Sequence, residues 1–600
     1  MNTPIKTNRL KVRINHDEYE KRFDIFLIAT SEKYIRRGAY IIDAPILCNN
    51  VLAVCFESGR EFYVLMRKSN NNKVLLKKVI TESEGGETLV IASVKPNQVK
   101  DNVLVQLLLN SLANYELDFM KFNNLTGHLY CFHPKWVKKG NRGEQYAIMK
   151  VPCLELKISN DMVLILQVHT FTSELLRNKI TFRKKKFEEY PKYVFSANNT
   201  LRRKLKDDTD NCFIMRQIDG IKTEIPFLDI QNKDKFDICK MGILANIIKI
   251  FNCKLGEVCQ IEFSSINEYV SIDRNREMAR ENEDSIKNIL KFKPIKFVDE
   301  IGDEYSATFC KEIQERLREK YSVTATIGTC PAKNALNICV IHNAAYYDGM
   351  EDPYAIKREG YTVQHITFED FMGNAEFALS TIVHELLIKN DICSGRITLF
   401  DWTKLGIKEK IAFGIRVKDE EGSRYFFIDV KPDGSFVFNE QTLNLFDLNQ
   451  YTECVNIFED NRSVCGIIKR ANGNINLISD TDWITIPEIA EINKELSAGN
   501  TKLRGKIKRE ELLSSILDIK SFDEGKAKYY FVGTIGEGMR AKVVTAANIR
   551  KITPYKDARI MFNDLLPLMN VTFVHNGQLT VVPFPFKYLR EYIKMNTGVL

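Results

Sequence analysis

Residues 337–389 read NICVIHNAAYYDGMEDPYAIKREGYTVQHITFEDFMGNAEFALSTIVHELLIK, and the order of elements in this stretch decides the fold class. Ile338 to Ile341 is a short apolar run, as expected of a buried strand. A polar, turn-rich segment follows, with Tyr354, Lys357 and Arg358 on one turn or helix start. A second strand carries Gln364, and an amphipathic helix then ends at Lys389, 25 residues further on. Strand, loop, strand and helix in that order make an α/β phosphate-binding unit. A tyrosine hydroxyl, a glutamine amide and basic side chains are the donors that hold a terminal phosphate without competing negative charge. Taken singly, each is also an ordinary loop, edge-strand or helix-end residue. The reading rests on the ordered set.

Outward from this stretch, the 600 residues allow roughly three to five domains. Hydrophobic content of 44% and charged content of 27% are those of a globular protein with ample core. The net charge of +8 and a pI near 8.6 permit a polyanionic partner without requiring one. Fourteen cysteines occur with no CxxC pair and no zinc-like spacing, even for the near pair Cys253 and Cys259, so they read as small apolar residues of a reducing compartment. The polar N-terminus has no signal core, and no run of about 18 uncharged apolar residues is present. A cytoplasmic protein without a membrane segment is expected.

Residues 8–135 read as β-rich, with strands at Tyr40–Ile42, Glu61–Met66 and Leu89–Val94, and a helical period from Val103 to Leu117. Beyond Gly127, LELKI and VLILQVHTF form an expected hairpin. It carries the pair Glu155 and Lys157, which reads either as the end of a restriction-type nuclease motif or as one face of a strand. Residues 183–206 are densely basic with interleaved aromatics, a pattern of strand-gripping surfaces and equally of solvated loops. Lys233 to Glu262 reads as a long helix and a strand, and Glu312 to Lys320 as a charged helix. After Lys389, IAFGIRVKD, RYFFIDVK and SFVFNE are three strands joined by turns. Further strands are expected at Asn474–Ile478 and Tyr529–Val532, a helix at Glu510–Leu517, and a terminal helix after PFPF.

YAIKREGYTVQHIT and ALSTIVHELLIK together resemble the MID domain of Argonaute proteins, whose guide 5′ phosphate is held by a Tyr-x-x-x-basic segment, a strand Gln and a helix Lys. Arg358 has the family spacing from Tyr354 and Lys357 has the family residue type, so either fills the basic position. The position one turn before Lys389, often basic in the family, is Glu385 here. PFPFKYLREY resembles the family's C-terminal P-x-P segment, which implies that Lys587, Arg590 and the terminal Leu600 lie near the guide end. The resemblance requires no cofactor and admits Mg²⁺ beside the guide 5′ phosphate.

The resemblance implies an α/β multidomain, bilobed architecture with a Rossmann-like MID domain and a ribonuclease-H-like PIWI domain. The expected division is a β-rich domain over 1–126, a linker or reduced PAZ-like region over 127–235, and a second linker over 236–330. MID then takes 331–400 and PIWI 401–600. The first catalytic Asp of an active PIWI domain belongs on the first of the three strands, where Arg416 stands, and an arginine cannot ligate a metal ion. Asp480, Asp482 and Asp564 have no metal-ligand spacing. The reading is a catalytically inactive protein with no catalytic residues. It binds a short guide, with DNA favoured, and a complementary target. It would act in defence against plasmids or phages, handing the target to a separate nuclease, helicase-nuclease or toxic effector. The alternative is a metal-dependent nuclease using Asp419, Asp429 and Lys431, or Glu155 and Lys157.

Overall fold

The computed structural model describes residues 4–83, 88–115, 120–142, 145–175, 190–196, 200–208, 211–216, 225–272, 286–343, 346–347, 353–355, 358, 360–371, 375–399, 401–418, 422–442, 449–499, 519–532, 542–543, 548–569 and 582–597. The expected helix at Glu510–Leu517, Lys357, Asp419, Leu600 and residues 183–189 of the basic run lie outside them. The chain divides into two compact units. One comprises residues 1–268, 482–516 and 537–547, and the other 269–481, 517–536 and 548–600.

In the first unit a four-stranded antiparallel sheet runs in the order Val51–Ser58, Glu61–Arg67, Phe23–Ala29, Val90–Val94. Alternation along these strands puts Phe26, Ile28, Val54, Phe62 and Val64 into one core. Tyr40–Ile42, expected as a strand, is instead part of the helix Gly38–Asp43. A run of three apolar residues carries no period by which strand and helix differ, and burial of Ile41 and Ile42 against the sheet decides for the helix.

A second sheet of eight strands is built around the long hairpin Gln145–Ile158 and Leu164–Ser173. The strands at either end of its order meet, Asn123 Nδ2 donating to the Leu201 carbonyl, so the sheet curls around Tyr130, Phe132, Phe171, Tyr193 and Phe213. Between the two sheets lies the helix Asp101–Ser111, buried on every side from Val103 to Ser111. Its two buried amides, Gln106 and Asn110, are fully used. Asn110 Nδ2 donates to the carbonyls of Val54 (2.7 Å) and Gly127 (3.0 Å), and Gln106 Oε1 accepts from the Ile158 N–H (2.6 Å). Gly127 (φ +78°) touches the Phe56 backbone so closely that a Cβ would stand 2.3 Å from its nitrogen.

The second unit contains a four-stranded parallel sheet in the order Ala325–Gly328, Ile295–Asp299, Leu336–Ile341, Thr362–Thr367. All six residues of Leu336–Ile341 are buried, as a central parallel strand requires. The helix Glu304–Tyr321 is capped by Asp303 and Ser306 and packs on this sheet, as does the helix Ala375–Ser394. The expected three strands follow as Ile411–Lys418, Ser423–Val430 and Phe436–Thr442, antiparallel in sequence, with Gly434 (φ +80°) making the second turn. Val464–Arg470 pairs antiparallel with the other edge of the first strand. The helix Pro585–Thr597 lies against the Ala375–Ser394 helix and the first two of these strands. Tyr588 OH fixes that contact by donating to Asp391 Oδ2 (2.7 Å), both groups being buried. No helix among the described residues is long and apolar enough to cross a membrane.

Candidate nucleic-acid end-binding site

Gln364 faces Ile338 across the parallel ladder, so its side chain leaves the sheet on the Ile338 face, and His365 leaves on the other. Gln364 Nε2 donates to Glu385 Oε2 (3.1 Å), and Lys389, one helical turn beyond Glu385, donates from Nζ to the Val363 carbonyl (2.9 Å). From the C-terminal helix, Lys587 Nζ lies 3.5 Å from Glu385 and 2.9 Å from Glu591, and Lys594 lies 3.4 Å from Glu591. One strand, one helix and the terminal helix thus deliver Gln364, Lys389 and Lys587 to a single polar seam.

Three lysines and two carboxylates leave that seam with one surplus positive charge. Burial holds the Lys389 ammonium below the usual lysine range, partly offset by Glu591 and Glu385. Burial pushes the Glu591 carboxyl up, but Lys587, Lys594 and Lys389 outweigh it and keep it ionised. Gln364 Oε1 is buried and accepts no hydrogen bond among the described residues. The seam therefore offers lysine donors and one amide acceptor. A dianionic phosphate entering it would have to compete with Glu385 for its partners.

The other predicted residues sit elsewhere. Tyr354 is exposed, its ring 5.2 Å from that of His365. Arg358 is largely buried in an ion pair with Glu300 (2.6 Å) and also reaches Cys339 Sγ (3.7 Å). Arg590 is exposed on the terminal helix. Sequence reasoning missed Glu591 and Lys594, although their spacing of four and seven residues from Lys587 places all three on one helix face. It also missed Glu300, Cys339 and His365, which only the parallel register brings together.

Those last three offer ligand atoms within 4.8 Å of one another. A Cys/His/Glu set suits Zn²⁺ and not Mg²⁺, and here the Arg358 guanidinium already neutralises Glu300. Glu385 and Glu591, the carboxylates nearest Lys389, are both engaged by lysines, so the described residues do not form a Mg²⁺ cage at the seam. On the antiparallel sheet, Arg416 donates to the carbonyls of Phe458 and Arg462 and lies 3.7 Å from Glu459. The nearby carboxylates are each paired with a cation: Asp429 with Lys410 (2.9 Å), Asp480 with Arg550 (2.6 Å), and Asp564 with Arg470 and Arg559 (both 2.8 Å). Glu155 is held by His169 (2.6 Å), while Lys157 is exposed.

Across 99% of this chain and 94% of the other, the structure matches the Argonaute of Kluyveromyces polysporus with a guide RNA, at a TM-score of 0.53 and 9% identity. The chain has the Argonaute fold. The Argonaute of Marinitoga piezophila in complex with 5′-OH guide RNA and target DNA matches over 99% of both chains, with a TM-score of 0.44 and 10% identity. No family model and no curated protein matches the sequence. The expected α/β multidomain fold class is thus observed, and the parallel and antiparallel sheets of the second unit are consistent with the MID and PIWI domains of an Argonaute.

Proposed function

We propose that this chain is a guide-directed nucleic-acid-binding protein that anchors the 5′ end of a short strand in the Gln364–Lys389–Lys587 seam. The observation that carries the reading is the convergence of these three residues, from three separate elements, beside one surplus positive charge. The Argonaute fold supports it, one solved member being in complex with a guide RNA. Base pairing reads the target, and the protein grips backbone. A DNA guide is favoured, and the target is bound without being cut, a reading supported by Arg416 on the first strand and by the pairing of Asp429 with Lys410. A separate nuclease, helicase-nuclease or toxic effector then acts on the target, in defence against plasmids or phages.

Of the other residues that the resemblance implies for the guide end, Tyr354 and Arg358 stand outside this seam, Tyr354 beside His365 and Arg358 paired with Glu300. Purification from cells followed by sequencing of bound nucleic acid tests the proposal. Short strands of uniform length are expected, and their absence refutes it.

A further inference from the structure

The first unit holds a cavity of about 380 Å³ whose floor is a carboxylate set between two imidazoles. Glu155 is 7% exposed; its Oε2 meets His169 Nε2 at 2.6 Å and its Oε1 lies 3.4 Å from His128 Nδ1. Burial pushes the Glu155 carboxyl up, but the His169 hydrogen bond and the His128 and His169 imidazoles pull it below the usual range, so it lines the cavity as an anion. Burial lowers the His128 imidazole below the usual histidine range, with Glu155 opposing it. The walls are apolar and aromatic, with Ile42, Phe56, Tyr130 and Met215 lining the cavity, and Tyr34 is exposed at the rim. A buried anion in such a cavity is costly unless N–H donors reach it, and a carboxylate has about four acceptor sites, of which His169 fills one.

From this geometry we infer that the cavity takes an unstacked guanine base of a bound nucleic acid, read by Glu155. Guanine alone among the bases presents two adjacent N–H donors, N1–H and the N2 amine, along its Watson–Crick edge, and they match the two oxygens of one carboxylate. Adenine and cytosine place a lone pair beside their single amine, and uracil and thymine flank one N–H with carbonyls. The aromatic walls supply the stacking surface that a base leaving its helix requires. This site belongs to the first unit and does not depend on the 5′-end seam, which belongs to the second.

The test is binding of the trinucleotides TGT, TAT, TCT and TIT (I, inosine, which lacks the N2 amine) to the full-length protein freed of nucleic acid. TGT is expected to bind at least about tenfold more tightly than each of the others. Gly38 lines the cavity and a Cβ there meets nothing within 4 Å, so Gly38→Leu adds bulk at the cavity wall and should abolish the TGT preference. Glu155→Gln should remove the preference for TGT over TIT. Equal affinity for all four trinucleotides, or a preference that survives Gly38→Leu, overturns the inference. So does competition by free arginine, another carrier of paired N–H donors, where TGT itself fails to bind.

Discussion

Glu385 is the residue on which the chemistry of the seam turns. A basic residue at its position would add to Lys389; instead its carboxylate takes the Gln364 amide and sits 3.5 Å from Lys587. Glu385→Gln leaves the shape and removes one negative charge. A guide with a 5′ phosphate should then gain about tenfold in affinity relative to the same guide with a 5′ hydroxyl, a difference of ~1.4 kcal/mol measurable by filter binding. An unchanged ratio would mean that the terminal group does not reach Glu385. Lys389 adds a pH dependence. Its proton is lost at lower pH than that of an exposed lysine because burial penalises the charged form. Guide affinity should therefore be lost as pH rises through that lowered value, earlier than for an exposed lysine. Lys389→Arg, which keeps its charge, should flatten the alkaline limb in a pH titration of binding.

At the scale of elements, the terminal helix is what completes the seam, and one buried hydrogen bond sets its position. Tyr588→Phe removes the donor to Asp391 and should cost about 1–3 kcal/mol of stability in a denaturant titration, with a loss of guide affinity as Lys587 shifts. Much of this architecture is legible in the sequence because its signals are local. The helix to Lys389 and the three strands after it each announce themselves by period or turn. The strand Ile295–Asp299 does not, since a five-residue parallel strand needs neighbours 30 to 40 residues away to give it meaning. The same limit explains the site. Gln364 and Lys389 were readable as part of an ordered set and Lys587 through the C-terminal resemblance, whereas the pairing of Arg358 with Glu300 depends on strand register that no spacing reveals. Tyr40–Ile42 shows the converse, a local apolar run whose state was decided by tertiary burial.

At the scale of the molecule, the Argonaute fold is present at 9% identity to a solved Argonaute, so the fold is shared where few residues are. What a fold of this kind does is set by the groups it retains. Lys389 and Lys587 share one polar seam, and on the antiparallel sheet Arg416 donates to the Phe458 and Arg462 carbonyls. Incubation of the guide-loaded protein with complementary target and Mg²⁺ or Mn²⁺ should leave the target intact. Robust cutting that is abolished by Asp429→Ala would instead identify a nuclease centred on the Lys410-paired carboxylate. The central claim, that this chain holds a free strand end, is tested most directly by comparing a short linear DNA with a covalently closed circle of the same sequence. The linear strand should bind at least about tenfold more tightly, and the advantage should vanish in the Gln364→Ala, Lys389→Ala double variant. Equal affinity for circle and linear strand in the unsubstituted protein, or a linear-strand advantage that survives in the double variant, would contradict the account.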